Sequence, residues 1–157
     1  MQEQTVALDD LDRRILQALQ QNAALSNNDL AAAVHASPPT CLRRVKRLSE
    51  SGVILRQVAL LAPEKLGPAL TAIVEITLDH QGAERLLQFE ALVADEEAVL
   101  QCYRVSPGPD FVLIVQVADM PAYHAFAHRV FAAHANVRNV RTFFSVHRAK
   151  FETRIPL

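Results

Sequence analysis

SNNDLAAAVHASPPTCLRRVKRLSESG, residues 26–52, reads as two short helices joined by a tight corner, the second carrying a block of positive charge. Ser26 is placed to cap the first, and Asp29 adds favourable negative charge in its first turn. Leu30 and Val34 give that helix an apolar edge. Ser37 is a second cap candidate, and Pro38 stands at a first helical position, where its missing N–H costs nothing. Leu42, Val45 and Leu48 recur every three residues, which predicts a stripe facing a core. Arg43, Arg44, Lys46 and Arg47 occupy the positions between them, with no acidic residue from Ser37 to Leu48. Gly52 stands where a left-handed residue is wanted after a helix.

Two helices with a short joint, the second opened by small residues and flanked by arginines, are what a helix-turn-helix needs to enter a major groove. Ser37, Pro38 and Thr40 lie near the helix start, where base edges come close. Arginine supplies bidentate contacts to guanine or clamps phosphate. Arg43, Arg44 and Arg47 are the main expected DNA contacts, with Lys46 on phosphate. Any one arginine alone reads better as solvated surface, but the constellation points to double-stranded DNA. A dimer would prefer a pseudo-palindromic site with half-sites a helical turn, or a multiple, apart.

Upstream, LDDLDRRILQALQQN puts Leu8, Leu11, Ile15, Leu16 and Leu19 on one helical face, with Asp9 or Asp10 serving its N-terminus. A three-helix domain is expected over residues 1–52, its first seven residues a loose tail. Downstream, residues 53–69 are apolar and rich in β-branched side chains, then meet Pro63, Gly67 and Pro68, which predicts a strand-like connector and a turn.

Residues 70–157 alternate element types. Residues 71–78 read as a strand. The next helix has Leu86, Leu87, Phe89 and Leu92 inward. Residues 99–106 form a strand before the turn PGPD, and the apolar strand from Phe111 suits two-sided burial. Another helix turns Tyr123, Phe126, Val130 and Phe131 inward, and residues 137–151 form a long final strand. This βαββαβ order predicts an α+β chain: a helix-turn-helix domain followed by a ferredoxin-like domain, both of whose helices lie on one sheet face. The other face, still apolar, is expected to bury itself against a second copy.

With 16 basic and 17 acidic residues the net charge is −1, so no general polyanion-attracting field exists and the positive charge that matters is local. Cys41 and Cys102 are too few and too far apart for a disulfide framework or zinc site, and read as buried small residues. Neither a leader pattern nor a run of about 20 apolar residues occurs, which predicts a cytoplasmic protein.

The chain resembles the Lrp/AsnC family of bacterial and archaeal regulators from Leu8 to about Phe151. The resemblance rests on LDDLDRRILQALQQN, on LSNNDLAAAVHASPPTCLRRVKRLSESGVI and on YRVSPGPDFVLIVQVADMPAYHAF. It implies a DNA-binding transcription regulator that dimerises through its C-terminal sheet and assembles into octamers or other multiples of dimers. It further implies an amino-acid effector bound at a junction between dimers, with Ser106, Gly108, Asp110, Met120, Thr142 and Phe143 in the effector region; Arg104, two residues before Ser106 on the same strand face, is placed to add a charge-assisted contact. In this sequence Pro107 and Gly108 replace a Gly-Asp pair common in the family, and Pro109 follows. The two prolines remove two N–H donors from a turn that would otherwise offer them to a carboxylate.

His124, His128 and His134, and the run Asp95, Glu96, Glu97, read as helix faces and a solvated helix end in preference to metal sites. No phosphate-binding glycine loop or serine elbow is present, and nothing argues for catalysis or a cofactor. Two rivals remain at this level: an architectural DNA-binding protein indifferent to small molecules, and a ferredoxin-like enzyme or metabolite-binding module with an incidental helical domain.

Overall fold

The computed structural model describes residues 6–67 and 69–157. Residues 1–5 of the expected tail and Pro68 of the expected turn lie outside them. The chain divides into two units, one running to Leu60 and including Phe151–Leu157, the other Leu61–Lys150.

In the first unit, α1 (Asp10–Gln21) starts at a reciprocal capping box: the Asp9 carboxylate accepts from Asp12 N–H at 2.9 Å, and the Asp12 carboxylate accepts from Asp9 N–H at 3.2 Å. Each carboxylate thus satisfies a donor that the first turn would leave unpaired. α2 (Asn27–Ala33) is capped by Ser26, whose Oγ accepts from Asp29 N–H at 3.1 Å. It ends at His35 with φ +54°, where the His35 and Ala36 N–H groups donate to the carbonyls of Ala32 and Ala31. That pair of bonds closes the helix and turns the chain toward α3 (Pro38–Glu50). Gly52, with φ +75°, follows the end of α3 as expected.

Ile15, Leu16, Leu30, Ala31, Val34, Cys41 and Leu48 form the core of this unit. The stripe on α3 is Cys41, Val45 and Leu48; Leu42, expected inward, is 62% exposed. Six residues separate Leu42 from Leu48 by about 120° around a helix, whereas seven bring Cys41 to within about 20° of Leu48.

The expected strand-like connector is irregular chain with one 3-10 turn, Pro63–Lys65. Leu55, Val58, Leu60 and Leu61 are exposed, and among the described residues no strand offers this segment a ladder partner.

The second unit contains β1 (Leu70–Leu78), α4 (Ala83–Ala94), β2 (Val99–Arg104), β3 (Phe111–Val117), α5 (Met120–Ala127) and β4 (Val137–Phe144), with a π-helical turn, His128–Ala132, continuing α5. The sheet order is β2-β3-β1-β4 and every pair is antiparallel, the expected ferredoxin-like arrangement. Val74, Ile76, Phe111, Leu113 and Val115 on one sheet face meet Phe89 and Val93 of α4 and Tyr123, Phe126, Val130 and Phe131 beyond β3.

Several details depart from the sequence reading. Leu87 is 60% exposed, and Val93 completes the inward face of α4. β3 alternates buried and half-buried residues, so only its helix side is covered. Cys41 is buried, but Cys102, on the edge strand β2, is exposed. β4 stops at Phe144, short of Phe151, because its partner β1 begins at Leu70 and the last rung is Ser145 N–H to Thr71 O at 2.9 Å. Residues 151–157 group with the helical unit: the Gln20 side-chain amide accepts from Ile155 N–H at 2.7 Å and donates to Ile155 O at 3.1 Å.

Candidate functional site

Rotation by about 100° per residue puts Pro39, Thr40, Arg43, Lys46 and Arg47 on the side of α3 away from Cys41, Val45 and Leu48. Prolines at 38 and 39 remove two N–H groups from the first turn. Ser37 occupies the N-cap without a bond to a backbone N–H; its Oγ donates to Thr40 Oγ1 at 2.8 Å. Asn27 Nδ2 donates to Pro38 O at 2.9 Å, tying the start of α2 to the start of α3. The result is a narrow helix tip of small side chains, Ser37, Pro38 and Thr40, followed one turn later by exposed Arg43.

The positive block is much less free than the sequence suggests. Arg44 turns toward α1, where its Nη1 donates to Asp9 and, at 3.1 Å, to Asp12 Oδ1. Arg47 Nη2 donates to Asp12 Oδ2. Lys46 Nζ lies 3.7 Å from Glu50, one turn on. Arg43 alone on α3 has no carboxylate within ion-pair distance among the described residues. Arg44, expected on DNA, joins α3 to α1 in this structure: its Cβ lies beside the Cys41–Leu48 stripe, and its side chain is only 23% exposed. Charge counted along α3 alone does not register that Asp9 and Asp12, two carboxylates three apart at the start of a neighbouring helix, answer these arginines.

The backbone N–H of Asp12, and next the Arg44 guanidinium, hold the Asp9 carboxyl at about 2 against an ordinary 3.8. At pH values between these the unfolded chain binds a proton that the folded chain refuses. The contribution is thus complete above about pH 4 and is lost as pH falls toward about 2. Thermal melts across that window should show the helical unit weakening. Asp9→Asn, which keeps an N-cap side chain, should flatten the dependence.

In the second unit the expected effector residues separate into groups. Arg104 is paired with Glu90 of α4, through Nε at 2.9 Å and Nη2 at 2.7 Å. Asp110 Oδ2 accepts from Leu78 N–H at 2.7 Å, while Asp110 N–H donates to Ile76 O at 2.8 Å. β3 begins one residue later, so Asp110 prolongs its ladder with β1 past the last regular pair. Its Oδ1 keeps acceptor capacity. Ser106, Pro107 and Gly108 are exposed in the turn, with Gly108 at φ +128°, a backbone conformation that favours glycine.

Met120 belongs to the other end of the sheet, and Thr142, opposite Val74, lies midway along it. Met120 opens α5 after the C-terminal end of β3 and is 39% exposed, and Thr142 shares a hydrogen bond with Tyr123, one turn further along. Thr142 and Phe143 are adjacent in a strand and so point to opposite faces. Thr142 faces the helices; Phe143, opposite Ile73, faces the uncovered side with Arg141 5.4 Å from its ring centroid. Seven residues of β3, about 20 Å, lie between the Ser106–Asp110 turn and the Met120 end. One chain does not gather these residues around one pocket.

The histidines form no cluster with other ligating side chains among the described residues. Glu96 is paired with Arg129 through two contacts, one of them 2.7 Å, which lowers the Glu96 carboxyl below its ordinary range. Burial pushes the Cys41 thiol up. No helix among the described residues is long and apolar enough to cross a membrane.

Comparison with known proteins agrees with both halves. Residues 8–54 match a family model described as winged helix-turn-helix DNA-binding, and residues 71–155 match the Lrp/AsnC ligand binding domain. The DNA-binding transcriptional activator DecR of Escherichia coli K12 is 37% identical over 150 residues, covering 96% of this chain and 99% of that relative. The leucine-responsive regulatory protein of Salmonella typhimurium is 36% identical over 148 residues, covering 94% and 90%. Among solved structures, an AsnC family transcriptional regulator from Agrobacterium tumefaciens superimposes with a TM-score of 0.88 at 38% identity, covering 95% of this chain and 97% of that one. A transcriptional regulator from Neisseria meningitidis, solved as its L-Met complex, gives 0.87 at 32% identity, covering 96% and 97%. A helix-turn-helix unit with an exposed arginine, a ferredoxin-like unit and matches along nearly the whole chain lead to one assignment: the chain belongs to the Lrp/AsnC family of transcriptional regulators.

Proposed function

We propose that this regulator reads DNA with the face of α3 that carries Thr40, Arg43, Lys46 and Arg47, with Ser37 and Pro38 at its tip. The observation that carries this reading is the exposed, carboxylate-free Arg43 one turn beyond the small residues that open the helix. It acts in the cytoplasm as a symmetric dimer or a multiple such as an octamer, and is not an enzyme. The uncovered sheet face, where Ile73, Tyr103 and Phe143 are exposed, packs against a second copy.

Its effector is an amino acid bound where subunits meet. The Neisseria meningitidis relative with L-Met supports this, as does the separation of the Ser106–Asp110 turn from Met120 by the length of β3, since a site drawing on both needs more than one chain. The turn and Asp110 Oδ1 offer contacts to the α-amino acid group, and Met120 offers an apolar wall. Such a ligand shifts an assembly equilibrium only through a difference in its affinity for the two assemblies.

A thermal-shift screen of the twenty amino acids, with assembly mass followed by light scattering, tests the effector reading. One amino acid at about 100 times its dissociation constant should stabilise the protein by about 2.7 kcal/mol and change its mass. Pro107 and Pro109, which lack N–H donors, favour a second reading, an architectural DNA-binding protein without an effector. It takes precedence if no amino acid changes either quantity.

A further inference from the structure

We propose that Asp12 is a positioning residue for DNA binding, anchoring the Arg47 guanidinium through Nη2 so that its remaining N–H groups are presented to a backbone phosphate. The inference rests on α3 being the DNA-facing helix. Asp12 is 1% exposed, and its carboxylate is fixed on three sides: Oδ1 accepts from Arg44 at 3.1 Å, and Oδ2 accepts from Arg47 and from Asp9 N–H at 3.2 Å. The two arginines answer it differently. Arg44 spends Nη1 on both Asp9 and Asp12 and is mostly covered, so it completes the packing of α3 on α1. Arg47 gives Asp12 only Nη2 among the described contacts, and its side chain is 48% exposed.

A guanidinium is a rigid plane with five N–H donors. Once a buried carboxylate anchors one of its nitrogens, the directions open to the remaining N–H groups are restricted. Arg47 stands one turn from Arg43 on the outer face of α3 and is half exposed, so the N–H groups that Asp12 does not use are accessible on the side a duplex would meet. The carboxylate cancels part of Arg47's attraction for any polyanion in exchange for a set geometry. The device therefore favours a phosphate at one position over polyanions in general. A lysine cannot substitute, because its single ammonium has no second edge in a fixed plane.

The test is a double-mutant cycle on the full chain, with affinity for a duplex selected from random sequence measured against salt concentration. Arg47→Gln should weaken binding about tenfold and lower the slope of log K against log salt by about 0.9, the loss of one phosphate contact. Arg47→Lys should restore the slope but not the affinity. Asp12→Asn should weaken binding when Arg47 is present and have no effect in the Arg47→Gln background.

Equal losses from Asp12→Asn in both backgrounds would mean that Asp12 acts through Arg44 and the fold, which overturns the proposal. Parental binding by Arg47→Lys overturns it as well, and that arm decides the matter if melting curves show Asp12→Asn unfolded. If Arg43→Ala weakens binding while the Asp12 and Arg47 effects simply add, only this proposal falls. If neither Arg43→Ala nor Arg47→Gln changes binding, the DNA face is misplaced and the proposal falls with it.

Discussion

Arg43→Ala should weaken binding to the selected duplex by about 1–3 kcal/mol and relax preference at one base position, if its fork reads a guanine edge. The expectation follows from an accounting of charge on α3. Arg44 and Arg47 are answered by Asp9 and Asp12, and Lys46 lies near Glu50, which leaves Arg43 as the cation with most to offer a new partner. Arg44→Ala is the matched control. It should lower the melting temperature by releasing α3 from α1, while the folded fraction keeps its salt slope. Fluorescence anisotropy on labelled duplexes, paired with melting curves, separates the two outcomes.

Phe89→Ala should destabilise the ferredoxin-like unit by about 3–5 kcal/mol, the range for emptying a large aromatic site in a packed core. Phe89 is fully buried, its ring centroid 4.8 Å from that of Phe111 and 6.0 Å from that of His134, so it joins α4 to β3 and to the turn before β4. Little of that volume can be refilled, since Phe111 is anchored in a paired strand. Hydrogen exchange on the full chain should show lost protection in β1, β3 and α4. Because the cores are separate, α1 and α3 should keep theirs.

The features that proved legible in the sequence were those set by local chemistry. Ser26, Gly52 and the Asp9 cap act on backbone groups within a few residues, so their neighbours sufficed to place them. The alternation of β1 and the order of strands and helices were equally plain, because periodicity records which side of an element is covered. What was hidden depends on partners distant in sequence. The end of β4 is set by where β1 begins, some seventy residues earlier. Leu42 and Leu87 look inward by spacing alone, and the actual helix axes leave them outside.

The site divides along the same line. The helix-turn-helix and its tip were readable, since Ser37, Pro38 and Thr40 announce a helix start of small residues. Which arginines are free was not, because Asp12 lies about thirty residues upstream of Arg44 and reaches it only after α1 packs on α3. Asp110 and Thr142 are candidates by resemblance and Arg104 by its place on the strand, and each has a partner within the fold: Leu78, Tyr123 and Glu90. Composition signals polar capacity but not whether the fold has already used it.

Selection from a library of random duplexes at about 0.15 M salt, where weak non-specific contacts are screened, tests the central claim most directly. The account predicts enrichment of a pseudo-palindromic sequence whose half-sites lie a whole number of helical turns apart. The enriched duplex should bind about 10³-fold or more tighter than scrambled DNA, and Arg43→Ala should reduce that ratio. Equal binding to every duplex, unchanged by Arg43→Ala, would contradict a sequence-reading role for α3.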